Sequence, residues 1–155
     1  LLNILRGKPL PIYGDGKQVR DWLFVDDHAR GIDLIIRNGR RGETYNIGGN
    51  NEWANIDVVN LLCRIVDQRF ADNADLAERF PGSPCASATP ARSLISHVVD
   101  RPGHDIRYAI NAQKIMTELG YQPSENFESG LNKTVDWYLA NEAWWQSILE
   151  ESTPA

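Results

Sequence analysis

The chain has 155 residues, 42% of them hydrophobic, which is enough to bury one core of ordinary size and too apolar for a disordered protein. Sixteen Lys and Arg against twenty-one Asp and Glu give a formal charge of −5, which excludes the broad basic footprint of a nucleic-acid or anionic-membrane binder. Any anion must therefore be gripped locally.

The opening LLNILRG reads as the last turns of a helix stopped by Gly7, and with no initial Met it suggests a piece of a larger protein. From Pro9 to Val25, PLPIYGDGKQVRDWLFV places two strand-like runs around GDGK, a hairpin or a sharply turned loop with an extended arm on each side. Asp26 or Asp27 is the expected cap of a helix in which Ala29, Ile32, Ile35 and Ile36 recur at helical spacing until Asn38-Gly39. ETYNIG, residues 43 to 48, reads as a short strand. Asn55 is a good N-cap for a second amphipathic helix marked by Val58, Val59, Leu61, Leu62, Ile65 and Val66.

From Asp67 to Ser93 the pattern fades, with prolines at 81, 84 and 90, and the segment reads as a surface excursion with at most one short helix. Leu94 to Val99 is strand-like, and the loop RPGHDIRYAI follows. Asn111 caps a short helix through Ile115 and Leu119 that Gly120 ends. Phe127, Leu131, Val135, Tyr138 and Leu139 line one face of a final helix running into Trp144 and Trp145. Short strands alternating with about four helices indicate an α/β fold.

The candidate ligand groups are Arg20 and Arg101, whose guanidinium groups suit a phosphate, though Arg20 could equally pair with Asp21. Tyr13 can offer a flat face to a base, beside the stiff Pro11, or be an ordinary strand aromatic. Asn55 stands at a helix N-terminus, where a cap and an anion contact compete. His104 can donate to a phosphate or a sugar hydroxyl, or simply hold its own loop; three scattered histidines make no metal site. Cys63 and Cys85 have no redox or zinc spacing and read as structural thiols of a reducing compartment. No apolar run approaches the roughly 20 residues that span a bilayer, and the start lacks a signal peptide, so the expectation is a cytoplasmic protein with no membrane or nucleic-acid partner. No GxGxxG, P-loop, GxSxG or HExxH is present, and no catalytic acid, base or nucleophile is nominated.

PLPIYGDGKQVRDWLFVDDHARGI, GETYNIGG, DRPGHDIRYAI and FESGLNKTVDWYLAN together resemble the C-terminal half of the dTDP-glucose 4,6-dehydratases, which are lyases among the extended short-chain dehydrogenase/reductases. The first two motifs are shared more loosely with UDP-galactose epimerases and UDP-glucuronate decarboxylases. GHDIRYAI with KTVDWYLAN points more narrowly to the dehydratases. The resemblance implies that residues 1–155 form a nucleotide-sugar-binding part, with NAD and the catalytic residues on a Rossmann domain outside this chain, and a homodimeric parent.

It further implies that Pro11, Ile12 and Tyr13 line the thymine and deoxyribose of dTDP-glucose, that Arg20 meets the diphosphate, and that Asn55 binds near the phosphates. Asp100, Arg101, Pro102, Gly103 and His104 would wrap the diphosphate and ribose. In that family hydride passes from sugar C4 to NAD, water leaves across C5 and C6, and hydride returns to C6. This chain alone would then be inactive. It would also leave apolar surface of the helix after Asp27 and of ETYNIG exposed, since both would pack on the Rossmann sheet. The alternatives are the same part of a UDP-sugar epimerase or decarboxylase, and a binding module with no enzyme context whose tryptophan-rich end is an interface.

Overall fold

The computed structural model describes residues 1–151. Its strands are β1 (Leu10–Tyr13), β2 (Val19–Asp21), β3 (Glu52–Ala54), β4 (Ile95–Val98) and β5 (Arg107–Tyr108). Its helices are α1 (Leu2–Leu5), α2 (Val25–Asn38), α3 (Asn55–Asp72), α4 (Asp75–Arg79), α5 (Gln113–Leu119), α6 (Phe127–Ala140) and α7 (Glu142–Glu151). The α/β class holds, with seven helices among the described residues where about four were expected. The count is higher because the helical turns read at LLNILRG stand as α1, the short helix allowed within residues 67 to 93 is α4, and α7 is split from the final helix by a break.

The two arms around GDGK do not pair with each other. β1 runs parallel to β4, Leu10 opposite Ile95 and Tyr13 opposite Val98. β2 is the centre of a second sheet, antiparallel to β3 and parallel to β5. The segment is thus a sharp turn between two sheets. ETYNIG forms no strand: its neighbours are side chains of the α5 region, Lys114 donating to the Thr44 carbonyl, and no described strand pairs with it to complete a ladder.

The main core gathers Ile4, Leu5, Leu10, Val58, Leu61, Val66, Val135 and Leu139, chiefly where α6 packs on α3. Residues 67 to 93 are no surface excursion: α3 continues to Asp72, and Leu76, Phe80 and Ala91 are buried in this core. Scattered apolar residues on α4 and two 3-10 turns (Pro84–Ser87 and Ala91–Leu94) bury as well as a periodic helix would, without its periodicity. The final helical stretch breaks at Asn141, and α7 turns back so that Trp145 is buried against Phe80.

A smaller core of Ala112, Ile115 and Tyr121 joins α5 to Leu34 and Ile35 of α2 and to Ile47. Gly120, with φ 72°, closes α5 as expected, and Asn111 accepts from the Gln113 N–H at its start. Of α2 itself only Asp27 and Gly31 are buried, and Val25, Ile32 and Ile36 stay exposed, as the resemblance implies.

Neither Asp26 nor Asp27 caps α2; the helix starts at Val25 after Phe24. Asp27 instead lies inside the protein, where its carboxylate accepts from the Ser124 N–H (2.9 Å), the Ser124 hydroxyl (2.8 Å), the Glu125 N–H (3.1 Å) and Arg30. Burial alone would raise its pKa, but these bonds and the Arg30 charge outweigh it and hold the group below its ordinary value. Both thiols are free, and burial pushes Cys63 and Cys85 up to about 11, so they are protonated and poor nucleophiles near neutrality.

Removing the carboxylate strands the three donors of Ser124 and Glu125 and unpairs Arg30, so Asp27→Ala should destabilise the protein by about 3 kcal/mol in urea unfolding at pH 7. The native pKa lies below the unfolded value of roughly 3.9, so this contribution is complete above that pH and is lost as pH falls through the native pKa. The Asp27→Ala penalty should therefore shrink at pH 3.

Candidate functional site

The expected ligand groups converge on the turn between β1 and β2. Along β1 the side chains alternate: Pro11 and Tyr13 face outward, whereas Ile12 is 2% exposed and belongs to the interior. Ile12 therefore supports the turn from inside and does not present its side chain at the surface of β1. Gly16 has φ +74°, and a Cβ there would stand 2.7 Å from Ile12 Cγ2 and 2.9 Å from Ile56 Cβ. That close approach brings the first turn of α3 onto the loop.

The Gly16 carbonyl accepts from the Ile56 N–H (2.9 Å) and the Gln18 carbonyl from the Asn55 N–H (3.0 Å). The start of α3 is thus closed by backbone carbonyls of the turn, and Asn55 is its first residue, not its cap. Its half-buried side chain makes no capping bond and stands beside the site.

Arg20 does not pair with Asp21. Its Nη1 donates to the carbonyls of Val19 (2.7 Å) and Asp105 (3.0 Å), which ties β2 to the loop ahead of β5. Asp21 is engaged elsewhere, accepting from the N–H groups of Gly49 (2.8 Å) and Asn51 (2.7 Å).

The loop from Asp100 to His104 then crosses over the turn. Asp100 Oδ1 accepts from the Arg101 N–H (2.9 Å) and His104 Nδ1 (2.8 Å), and Oδ2 accepts from Gln18 Nε2 (2.8 Å). The His104 bond, aided by the Arg101 N–H and by Gln18, holds the Asp100 carboxyl below its usual range. An ionised carboxylate can only accept, so His104 carries its proton on Nδ1 and its Nε2 lies on the far side of the ring. The His104 ring meets Tyr13 edge-on, 6.2 Å between centroids.

Pro102 and Gly103 are exposed, and Gly103 has φ +70°, the left-handed bend that lets the loop double back. Arg101 is exposed, and among the described residues its guanidinium has no hydrogen-bond or ion-pair partner. Arg107, by contrast, is neutralised by Glu52 through two 2.6 Å bonds.

Gln18 was not singled out from the sequence, yet it touches three of the expected groups. Its side-chain amide donates to Asp100 and, at 3.5 Å, to the Tyr13 carbonyl, while its backbone carbonyl accepts from the Asn55 N–H. A polar residue between a turn and a strand is usually exposed, and only the fold shows this one to be buried. The Tyr-x-x-x-Lys spacing that short-chain dehydrogenases use for proton transfer does occur, at Tyr13 and Lys17. It spans a glycine turn where Lys17 pairs with Asp15, both well exposed, so it forms no such proton-transfer pair.

An apolar groove of about 710 Å³, lined by Trp22, Phe24, Phe127 and Trp137, lies elsewhere, and none of the expected ligand residues lines it. Among the described residues no cluster of His, Cys, Asp or Glu could hold a metal, and no helix is long and apolar enough to cross a membrane.

The family model described as GDP-mannose 4,6 dehydratase matches residues 1–134. The chain belongs to that family. This member of the GDP-mannose 4,6 dehydratase family is 51% identical over 152 residues to the dTDP-glucose 4,6-dehydratase of Escherichia coli, covering 98% of this chain and 39% of that protein. It is 53% identical to the dTDP-glucose 4,6-dehydratase of Neisseria meningitidis, covering 98% of this chain and 40% of the relative. The chain thus spans about two-fifths of the curated relatives it matches.

Among solved structures, the dTDP-glucose 4,6-dehydratase of Bacillus anthracis in complex with NAD superposes with a TM-score of 0.72 at 44% identity, over 94% of this chain and 39% of that one. The Streptomyces venezuelae dTDP-glucose 4,6-dehydratase, with NAD and dTDP bound, gives 0.74 at 39%, over 94% and 38%. A UDP-glucose 4-epimerase of Thermotoga maritima gives 0.67 at 25%, over 89% and 37%.

Gly16→Ala combines a left-handed backbone with two sub-3 Å contacts and should cost about 2–4 kcal/mol of stability, read by urea unfolding.

Proposed function

We propose that this chain is the nucleotide-sugar-binding portion of a dTDP-glucose 4,6-dehydratase, a lyase of deoxysugar biosynthesis. The full-length enzyme converts dTDP-glucose to dTDP-4-keto-6-deoxyglucose and water. One observation carries the reading: Tyr13, Arg20, Asn55 and the Asp100–His104 loop, distant in sequence, share one hydrogen-bonded cluster. The Arg101 guanidinium is left without an internal partner in a chain of net charge −5. An unpaired guanidinium in the same loop as His104 suits a diphosphate.

Identity favours the dehydratase over the epimerase reading, at 44% against 25% in the superposed structures. The proposal places the chain in the cytoplasm, as part of a homodimeric parent, with dTDP-glucose as its ligand. NAD supplies hydride acceptance and return in the full-length enzyme. In this reading NAD is held on a Rossmann domain outside this chain, residues 1–155 bind and orient the sugar nucleotide, and the chain alone is inactive.

In the full-length protein carrying this chain, dTDP should bind in calorimetry, and Arg101→Ala should weaken it about tenfold, as loss of a charge-assisted hydrogen bond does. Because Arg101 supports nothing inside the fold, the melting temperature of the variant should stay within about 1 °C. Turnover of UDP-sugars alone would overturn the assignment.

A further inference from the structure

The Gln18 side chain has a feature that fold stability does not explain. The residue is 9% exposed, and its Oε1 is buried with no hydrogen-bond partner among the described residues. An orphaned buried acceptor is unfavourable, and an apolar side chain of similar length would remove it. What the amide provides is its donor: Nε2 lies 2.8 Å from Asp100 Oδ2, while Oδ1 of the same carboxylate holds His104 Nδ1 at 2.8 Å. Asp100 needs that donor for orientation and not for solvation, since its side chain is 37% exposed and water can reach it.

We infer that Gln18 is a positioning residue, acting through Asp100 to fix the ring orientation of His104 and so the geometry of the loop over the nucleotide diphosphate. This rests on the nucleotide-sugar reading above. The chain of contacts is short: Gln18 aims the carboxylate, the carboxylate holds Nδ1 and sets the tautomer, and the opposite edge of the imidazole is presented beside Tyr13. The second amide hydrogen reaches the Tyr13 carbonyl at 3.5 Å, and the Gln18 backbone carbonyl, which any substitution keeps, receives the Asn55 N–H, so Gln18 touches three of the binding groups.

The test uses the full-length protein. Gln18→Met removes both the donor and the orphaned acceptor. The melting temperature should hold or rise while dTDP affinity falls about 5- to 10-fold, the loss expected for one side-chain hydrogen bond. A purely structural role would move both in the same direction. In a His104→Ala background, Gln18→Met should change dTDP affinity by less than about twofold, because the group it positions is gone. Unchanged affinity in folded Gln18→Met, or losses that multiply in the double variant, would overturn the inference.

A second arm needs no nucleotide. Gln18→Met frees the Asp100 carboxylate to turn, and at pH 8 the His104 ring ¹⁵N resonances should lose the Nδ1-protonated pattern. If they keep it in a folded variant, Gln18 does not position His104. Should the unaltered protein fail to bind dTDP, the nucleotide reading falls, and the ¹⁵N arm still decides the role of Gln18.

Discussion

Strand β2 is three residues long, and both of its edges are occupied by groups that matter to the site. On one edge β3 and the first turn of α3 are seated, the latter through the bond from the Asn55 N–H to the Gln18 carbonyl. On the other, the Val19 N–H donates to Ile106 and β5 runs alongside, which places the preceding loop. At its end the Asp21 carboxylate and the Trp22 N–H hold the loop at Gly49 to Asn51. A buried backbone group without a partner costs about 1–3 kcal/mol, so a central strand this short is an efficient way to fix several loops at once. Were β2 paired with β1 as a simple hairpin, it could not serve both edges, and Asn55 and His104 would have no common neighbour.

Charge in this protein is decided locally. The chain is acidic overall, yet each arginine near the site has its own condition. Arg107 is cancelled by Glu52, Arg20 spends Nη1 on two carbonyls, and Arg101 is unpaired among the described residues. Net charge averages these into a number that describes none of them. The same holds for Asp27 and Asp100, both held ionised by hydrogen bonds, one sealed in the interior and one at a mobile-looking surface only in composition, since its loop is tied by three bonds.

Much of the helical content could be read in advance because it rests on local chemistry. Asn111 and Gly120 bracket α5, and the apolar spacing from Val58 to Val66 marks the inner face of α3. Where reading failed, a longer-range contact had won. The aspartates in the first turn of α2 have the composition of a cap, but Asp27 finds better donors at Ser124 and Glu125, almost a hundred positions on. Asn55 likewise yields its capping role to turn carbonyls. ETYNIG has strand composition without a neighbour to pair with, and residues 67 to 93 bury apolar side chains that show no period.

Sequence alone determined the α/β class, the principal helices, the glycine bends and the types of residue available to hold an anion, because each follows from local propensity or a short motif. It also placed Arg101 and His104 in one loop. Only the tertiary structure decided that this loop lies over the β1–β2 turn, that Ile12 faces inward, that Arg101 is free while Arg20 is engaged, and that a buried Gln18 joins Tyr13, Asn55 and Asp100. The bonds among them join segments up to eighty-five positions apart, and spacing along a chain carries no record of such contacts until the strands have paired.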